Sequence, residues 1–181
     1  PLVTDAHAYP GPVGLLENEY INLTPDNLNI IVNTNNWFIH SGGGTDAISA
    51  FGGFNVLDGG GGSNFLSGAA GVDTFFVDAR GATADIWSTL VNFRPGDGAT
   101  IWGVSAEDFL LVWHEGEGAA GFTGLTLHAL AVGQPIVSLT LAGYSQSDVD
   151  AGRLLVSSGF DAGSGSRYTP IQGHILSAPP E

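Results

Sequence analysis

Large apolar residues recur every nine positions through the first half of the chain, as Ile21, Ile30, Ile39, Ile48, Leu57, Leu66 and Phe75. Such a fixed beat marks a repeating structural unit that buries one side chain per repeat. Two residues ahead of the last four anchors stand Asp46, Asn55, Asn64 and Asp73, and four residues ahead stand Gly44, Gly53, Gly62 and Gly71. Further glycines crowd the same places, at Gly42-Gly43, Gly52, Gly59-Gly60-Gly61 and Gly68. A short turn that doubles back needs positive φ at several positions, which glycine adopts without penalty. Its carbonyls then point inward, the Asp or Asn adds a side-chain oxygen, and the next three residues form a short strand. Two repeats complete one coil, so strands alternate between two parallel sheets. One sheet is expected to carry Ile21, Ile39, Leu57 and Phe75, the other Ile30, Ile48 and Leu66.

The stretches Ser41–Ile48 (SGGGTDAI) and Gly59–Leu66 (GGGGSNFL) resemble the G-G-x-G-x-D-x-U-x repeat of the RTX family, the haemolysin-type calcium-binding proteins. The resemblance implies an all-β fold, a parallel β-roll (β-solenoid) of nine-residue repeats followed by a β-rich C-terminal cap. It also implies Ca2+ held between stacked turns, since calcium takes six to eight oxygens in flexible geometry. One metal cage would combine Gly42, Gly44 and Asp46 with Gly60, Gly62 and Asn64. The other would combine Gly53 and Asn55 with Gly71 and Asp73. Each cage has one carboxylate facing an amide, where strongly binding family members supply aspartate on both turns, and the Asp46/Asn64 edge is the better of the two. Phe51, Phe54 and Ala69-Ala70 also depart from the small residues the pattern wants.

The chain divides accordingly into an N-terminal extension (1–20), the roll (21–78), a closing segment (79–103) and the cap (104–181). Ahead of Ile30 and Ile39 the turns carry Asp26-Asn27 and Asn33, Asn35 and Asn36, and asparagine is the next best residue for left-handed turns. Two readings fit: the roll continues backward in a calcium-free, asparagine-lined form, or residues 15–40 are an ordinary hairpin or meander. After Phe75 the next slot is Ala84 and the beat stops. The segment Ile86–Gly103 (IWSTLVNFRPGDGATIWG) resembles the stretch that ends such rolls, with Asp85 and Asp97 as its available acids. Beyond it, β-prone runs at 109–113, 124–127, 136–141, 154–156 and 171–176 alternate with glycine, and Ser145 is placed to cap a short helix over 146–152.

Charge narrows the partners. Eighteen acids face four bases, all arginine, for a formal charge of −14. Nucleic acid and anionic membrane surfaces need basic patches, so neither fits, and no stretch is apolar enough to insert in a bilayer. Cysteine is absent, which removes disulfides and thiolate metal sites. Among the five histidines there is no H-E-x-x-H, and no G-x-S-x-G elbow occurs. His114-Glu115-Gly116-Glu117 invites a metal or acid–base reading but reads better as a solvated acidic turn. Trp37, Trp87, Trp102 and Trp113 suit either a sugar platform or a buried core, and burial energies favour the core. The expectation is a secreted calcium-binding module with no catalytic role. It would act as a structural, assembly or adhesion unit, extracellular or on the cell surface of a bacterium, and the resemblance implies type I secretion. Homo-assembly, a larger extracellular complex and a glycan are the partners considered. A carbohydrate-binding accessory module, or a fragment of a secreted enzyme whose catalytic part lies elsewhere, are the alternatives.

Overall fold

A computed structural model describes residues 17–150, 154–159 and 169–171. Successive short strands are dealt alternately to two sheets. The odd strands are β1 (Asn18–Ile21), β3 (Trp37–His40), β5 (Val56–Asp58), β7 (Thr74–Asp78) and β9 (Gly98–Trp102). The even ones are β2 (Asn29–Val32), β4 (Ala47–Ala50), β6 (Phe65–Ser67) and β8 (Ile86–Val91). Each strand pairs in parallel with the next strand of its own sheet. Because β1 and β2 lie in different sheets, the N-terminal rows do not form a hairpin.

The chain then extends both sheets. β10 (Leu110–Glu117), β11 (Gly124–Leu130) and β12 (Val137–Ala142) form an antiparallel meander, and β12 runs parallel to β8. β13 (Leu155–Gly159) pairs in parallel with β9 and antiparallel with β14 (Thr169–Pro170). Among the described residues each sheet has seven strands, in the orders β1-β3-β5-β7-β9-β13-β14 and β10-β11-β12-β8-β6-β4-β2. Strands from before and after residues 103–104 thus share each sheet. Among the described residues there is one short helix, α1 (Gln146–Asp150), and Asp148 in its first turn reaches back to Ser145, its Oδ2 accepting from the Ser145 backbone N–H at 2.9 Å. The expected run 171–176 lies outside the described residues apart from Ile171.

The interior is built from the anchors. Ile39, Leu57, Phe75 and Ala99 stand in register in one sheet, and Ile30, Ile48, Leu66 and Leu90 in the other. All but Ile30 are buried, and Leu141 and Val156 continue the two rows. Apolar side chains stacked in this way remove their surface from water on both flanks, and that burial is the main source of stability.

Two departures from the nine-residue beat have simple causes. Tyr20, not Ile21, stands opposite Ile39, because the first coil contains one more residue than the eighteen-residue coils that follow it directly. The beat, expected to stop at Ala84, resumes at Leu90, because the turn after β7 is longer. Six extra residues shift both sheets alike, so Phe75 pairs with Ala99. The long turn is pinned by Arg80, whose guanidinium holds the Asp78 carboxylate at 2.6 Å and lies over the Trp102 ring at 4.8 Å.

Candidate functional site

The glycine-rich turns stack on the two flanks of the coil, and the residues at their ends form two hydrogen-bonded ladders. On one flank Asp46 Oδ1 accepts from the Leu28 backbone N–H at 2.8 Å. Asn64 Oδ1 accepts in the same way from Asp46 N at 2.8 Å, and Ser88 Oγ from Asn64 N at 3.0 Å. On the other flank Asn55 Oδ1 accepts from Trp37 N at 3.0 Å, Asp73 Oδ1 from Asn55 N at 2.9 Å and Asp97 Oδ1 from Asp73 N at 2.8 Å. Asp46, Asn55, Asn64, Asp73, Asp97 and Ser88 are all buried. Each side-chain oxygen thus meets a backbone donor that a turn between parallel strands would otherwise leave without a partner.

The structure brings Gly42, Gly44 and Asp46 against Gly60, Gly62 and Asn64, and sets Gly53 and Asn55 against Gly71 and Asp73. Contact is close enough to require glycine. At Gly60, where φ is +62°, an added Cβ would lie 1.8 Å from the Gly42 carbonyl oxygen. Gly61 N–H donates to that same carbonyl at 3.0 Å, which fixes the stacking distance. Phe51 and Phe54 occupy their turn by pointing outward, 66% and 53% exposed.

What fills each turn depends on whether its last residue is an amide or an acid. The Asn64 NH2 group turns back onto its own turn, donating to Gly59 O at 2.7 Å and Gly61 O at 3.2 Å. Asn55 does likewise to Gly52 O at 2.7 Å. An amide NH2 placed among carbonyls satisfies them as a cation would, and the same N–H groups would face any ion brought there. At Asp73 both oxygens already accept backbone N–H groups, Oδ1 from Asn55 and Oδ2 from Ala69 at 3.0 Å. Asp97 is likewise engaged, with Oδ2 accepting from Arg94 N at 2.8 Å. Burial, countered in part by these backbone bonds, raises its pKa above the ordinary carboxylate value. Asp46 is different. Its Oδ2 is buried and meets no hydrogen-bond partner, so this is the turn whose donor set suits a hard cation. Asp85, at the opposite end of the long turn, is exposed and accepts from Ile136 N at 2.8 Å.

No family model, no curated protein and no solved structure matches the chain.

A second cluster lies where the meander joins the coil. His114 and Glu117 belong to β10 rather than to a free turn. The strand bulges between them, with Gly116 at φ +73°, so two residues that plain alternation would send to opposite faces share one. Glu117 Oε2 meets His128 Nε2 at 2.6 Å, and His128 Nδ1 meets Ser138 Oγ at 2.7 Å. These groups, with Trp87 and Asp85, line a cleft of about 420 Å³. Of the tryptophans, Trp102 is fully buried while Trp87 is 41% exposed. His7 and His174 lie outside the described residues.

Proposed function

We propose that this chain is a calcium-set β-roll of the RTX type, acting as a structural or assembly module outside the bacterial cell. The single observation that carries the reading is the buried Asp46 Oδ2, a carboxylate oxygen without a donor, at the end of a glycine turn stacked between the turn at residues 24–27 and the glycine turn at residues 60–62. The alternation of short parallel strands between two sheets, with anchors eighteen residues apart on the same row, supports the roll. The calcium component narrows to one ion per chain, at the turn that Asp46 ends. The other turns carry internal substitutes, an Asn amide at 55 and 64 and paired N–H donors at Asp73. An anionic chain with net charge −14 suits an environment rich in divalent cations. Among the described residues no helix is long and apolar enough to cross a membrane. No catalytic role is assigned to the roll.

Calorimetric titration of the intact chain with calcium tests this reading. The expected result is a stoichiometry near one, abolished by Asp46→Ala and retained in Asp73→Asn, since the Asn amide at 73 still presents an oxygen to Asn55 N. Absence of binding, or binding that survives Asp46→Ala, would remove the ion from this turn.

A further inference from the structure

The cleft between the long turn and the meander has its own chemistry, independent of any ion at Asp46. Its walls are Trp87, Ile86, Leu130 and Ile136, and its polar groups are contributed mainly by His114, Glu117, His128 and Asp85. Its volume falls within the roughly 300–1,000 Å³ typical of small-molecule sites. The Trp87 ring meets His128 edge-on at 5.3 Å with planes at 90°, and His114 meets His128 at 5.3 Å and 67°. Three rings thus form successive walls around one carboxylate.

The hydrogen-bond inventory says what is left for a ligand. Glu117 meets His128 Nε2 through Oε2 and the Ser138 hydroxyl meets Nδ1, so both His128 nitrogens are used. The Trp87 N–H is spent on Thr140 Oγ1 at 2.7 Å, which leaves the ring itself as an apolar surface. Glu117 Oε1 and His114 Nδ1 stand 3.7 Å apart, beyond direct hydrogen-bonding distance. A hydroxyl lodged there would accept from the imidazole and donate to the carboxylate. An ammonium, which only donates, would need the opposite tautomer, with Nδ1 unprotonated. An anion would meet Glu117 and Asp85 with neither lysine nor arginine among the lining residues.

We propose that this cleft binds a neutral sugar ring, with a hydroxyl bridging His114 and Glu117 and the C–H face of the ring against Trp87. The ligand class is thus an uncharged glycan, and uronates and phosphosugars are excluded by the two carboxylates. This goes beyond the structural reading of the coil, since it assigns the module something to hold.

Calorimetric and saturation-transfer NMR titrations of the whole chain with lactose, maltose and cellobiose test the proposal, with glucuronate and choline as charged probes. At least one neutral disaccharide is expected to bind, and the charged probes are expected not to. His114→Ala and Glu117→Gln are expected to weaken that binding by about tenfold or more each, the scale of one well-made polar contact. His114 is half exposed, so its replacement leaves the fold intact, and circular dichroism of both variants checks this. Failure of all three disaccharides, preference for glucuronate or choline, or binding indifferent to both substitutions would overturn it.

Discussion

Gly60→Ala is expected to abolish cooperative folding, whereas Gly61→Ala one residue on is expected to change stability by less than about 1 kcal/mol. At Gly60 the new Cβ would lie 1.8 Å from the Gly42 carbonyl oxygen, and the neighbour is backbone that no rotamer change can move. The φ of +62° adds the left-handed cost for a residue with a side chain, on the order of 1–2 kcal/mol. Separating the two turns would also break the Gly61 N–Gly42 O bond and the Asp46–Asn64 rung above it. A loss above about 4 kcal/mol is expected, enough to consume much of a small domain's stability. At Gly61 nothing lies within 4 Å of the added methyl. Urea unfolding of the two variants measures the contrast, and equal midpoints would show that the turns are not stacked as closely as described.

The second large effect concerns His40 and Asp58, which face each other in register on neighbouring strands. Their side chains meet at 2.6 Å and are 1% and 0% exposed. Asp58 Oδ1 also accepts from Gly60 N at 2.7 Å, so the pair braces the very turn just described. Replacing His40 by leucine takes the imidazole away from a buried carboxylate, and breaking such pairs costs about 3–5 kcal/mol. Adding Asp58→Asn is expected to recover most of that loss, because an amide oxygen still serves Gly60 N without needing a charge partner. Full loss in both single and double variants would mean that packing alone explains the site.

The same pair gives a pH signature. Burial by itself would lower the His40 pKa, but the bond to Asp58 and the charges of Asp58 and Asp78 outweigh it and Arg80, and the net shift is upward from 6.5. The folded state therefore holds this proton more tightly than the unfolded chain. Its contribution to stability is complete below pH 6.5 and is lost as pH rises through the raised value. His40→Leu is expected to flatten this part of the stability profile.

How far the residues announced all this depends on the element. Ile39, Leu57 and Phe75, and Ile30, Ile48 and Leu66, were legible because one side chain per repeat must face the interior, and the spacing survives in the chain. Leu90 and Ala99 continue the same rows, but the six-residue insertion at the long turn hides them from a strict nine-residue beat. Ser88 was obscured for the same reason, and Asp97 was visible only as an acid of the closing segment, although each ends a ladder begun by Asp46 or Asn55. Tyr20 displaced Ile21 through one added residue, a shift that a spacing argument cannot anticipate.

The Asn-for-Asp exchanges at 55 and 64 were visible, and they suggested weaker ion cages. Their positive role was not visible, since only the placed NH2 groups reveal carbonyls already satisfied. The cleft was hidden more deeply. His114 and Glu117 look like a solvated turn in sequence, and it takes the bulge at Gly116 and the pairing of β10 with β11 to bring them to His128. The signal that existed was the histidine and the two acids around one glycine, without their partner on the next strand.

The proposed ion would complete the turn ended by Asp46, as an amide completes the turn ended by Asn64. Thermal unfolding followed by circular dichroism, with millimolar calcium or with chelator, tests it most directly on the intact chain and on Asp46→Asn. Calcium is expected to raise the wild-type melting temperature, while Asp46→Asn melts at one temperature in both conditions and above the wild type in chelator, its own amide having taken the cation's place. A wild-type melting temperature unmoved by chelator, or a calcium response undiminished in Asp46→Asn, would remove the ion from this turn.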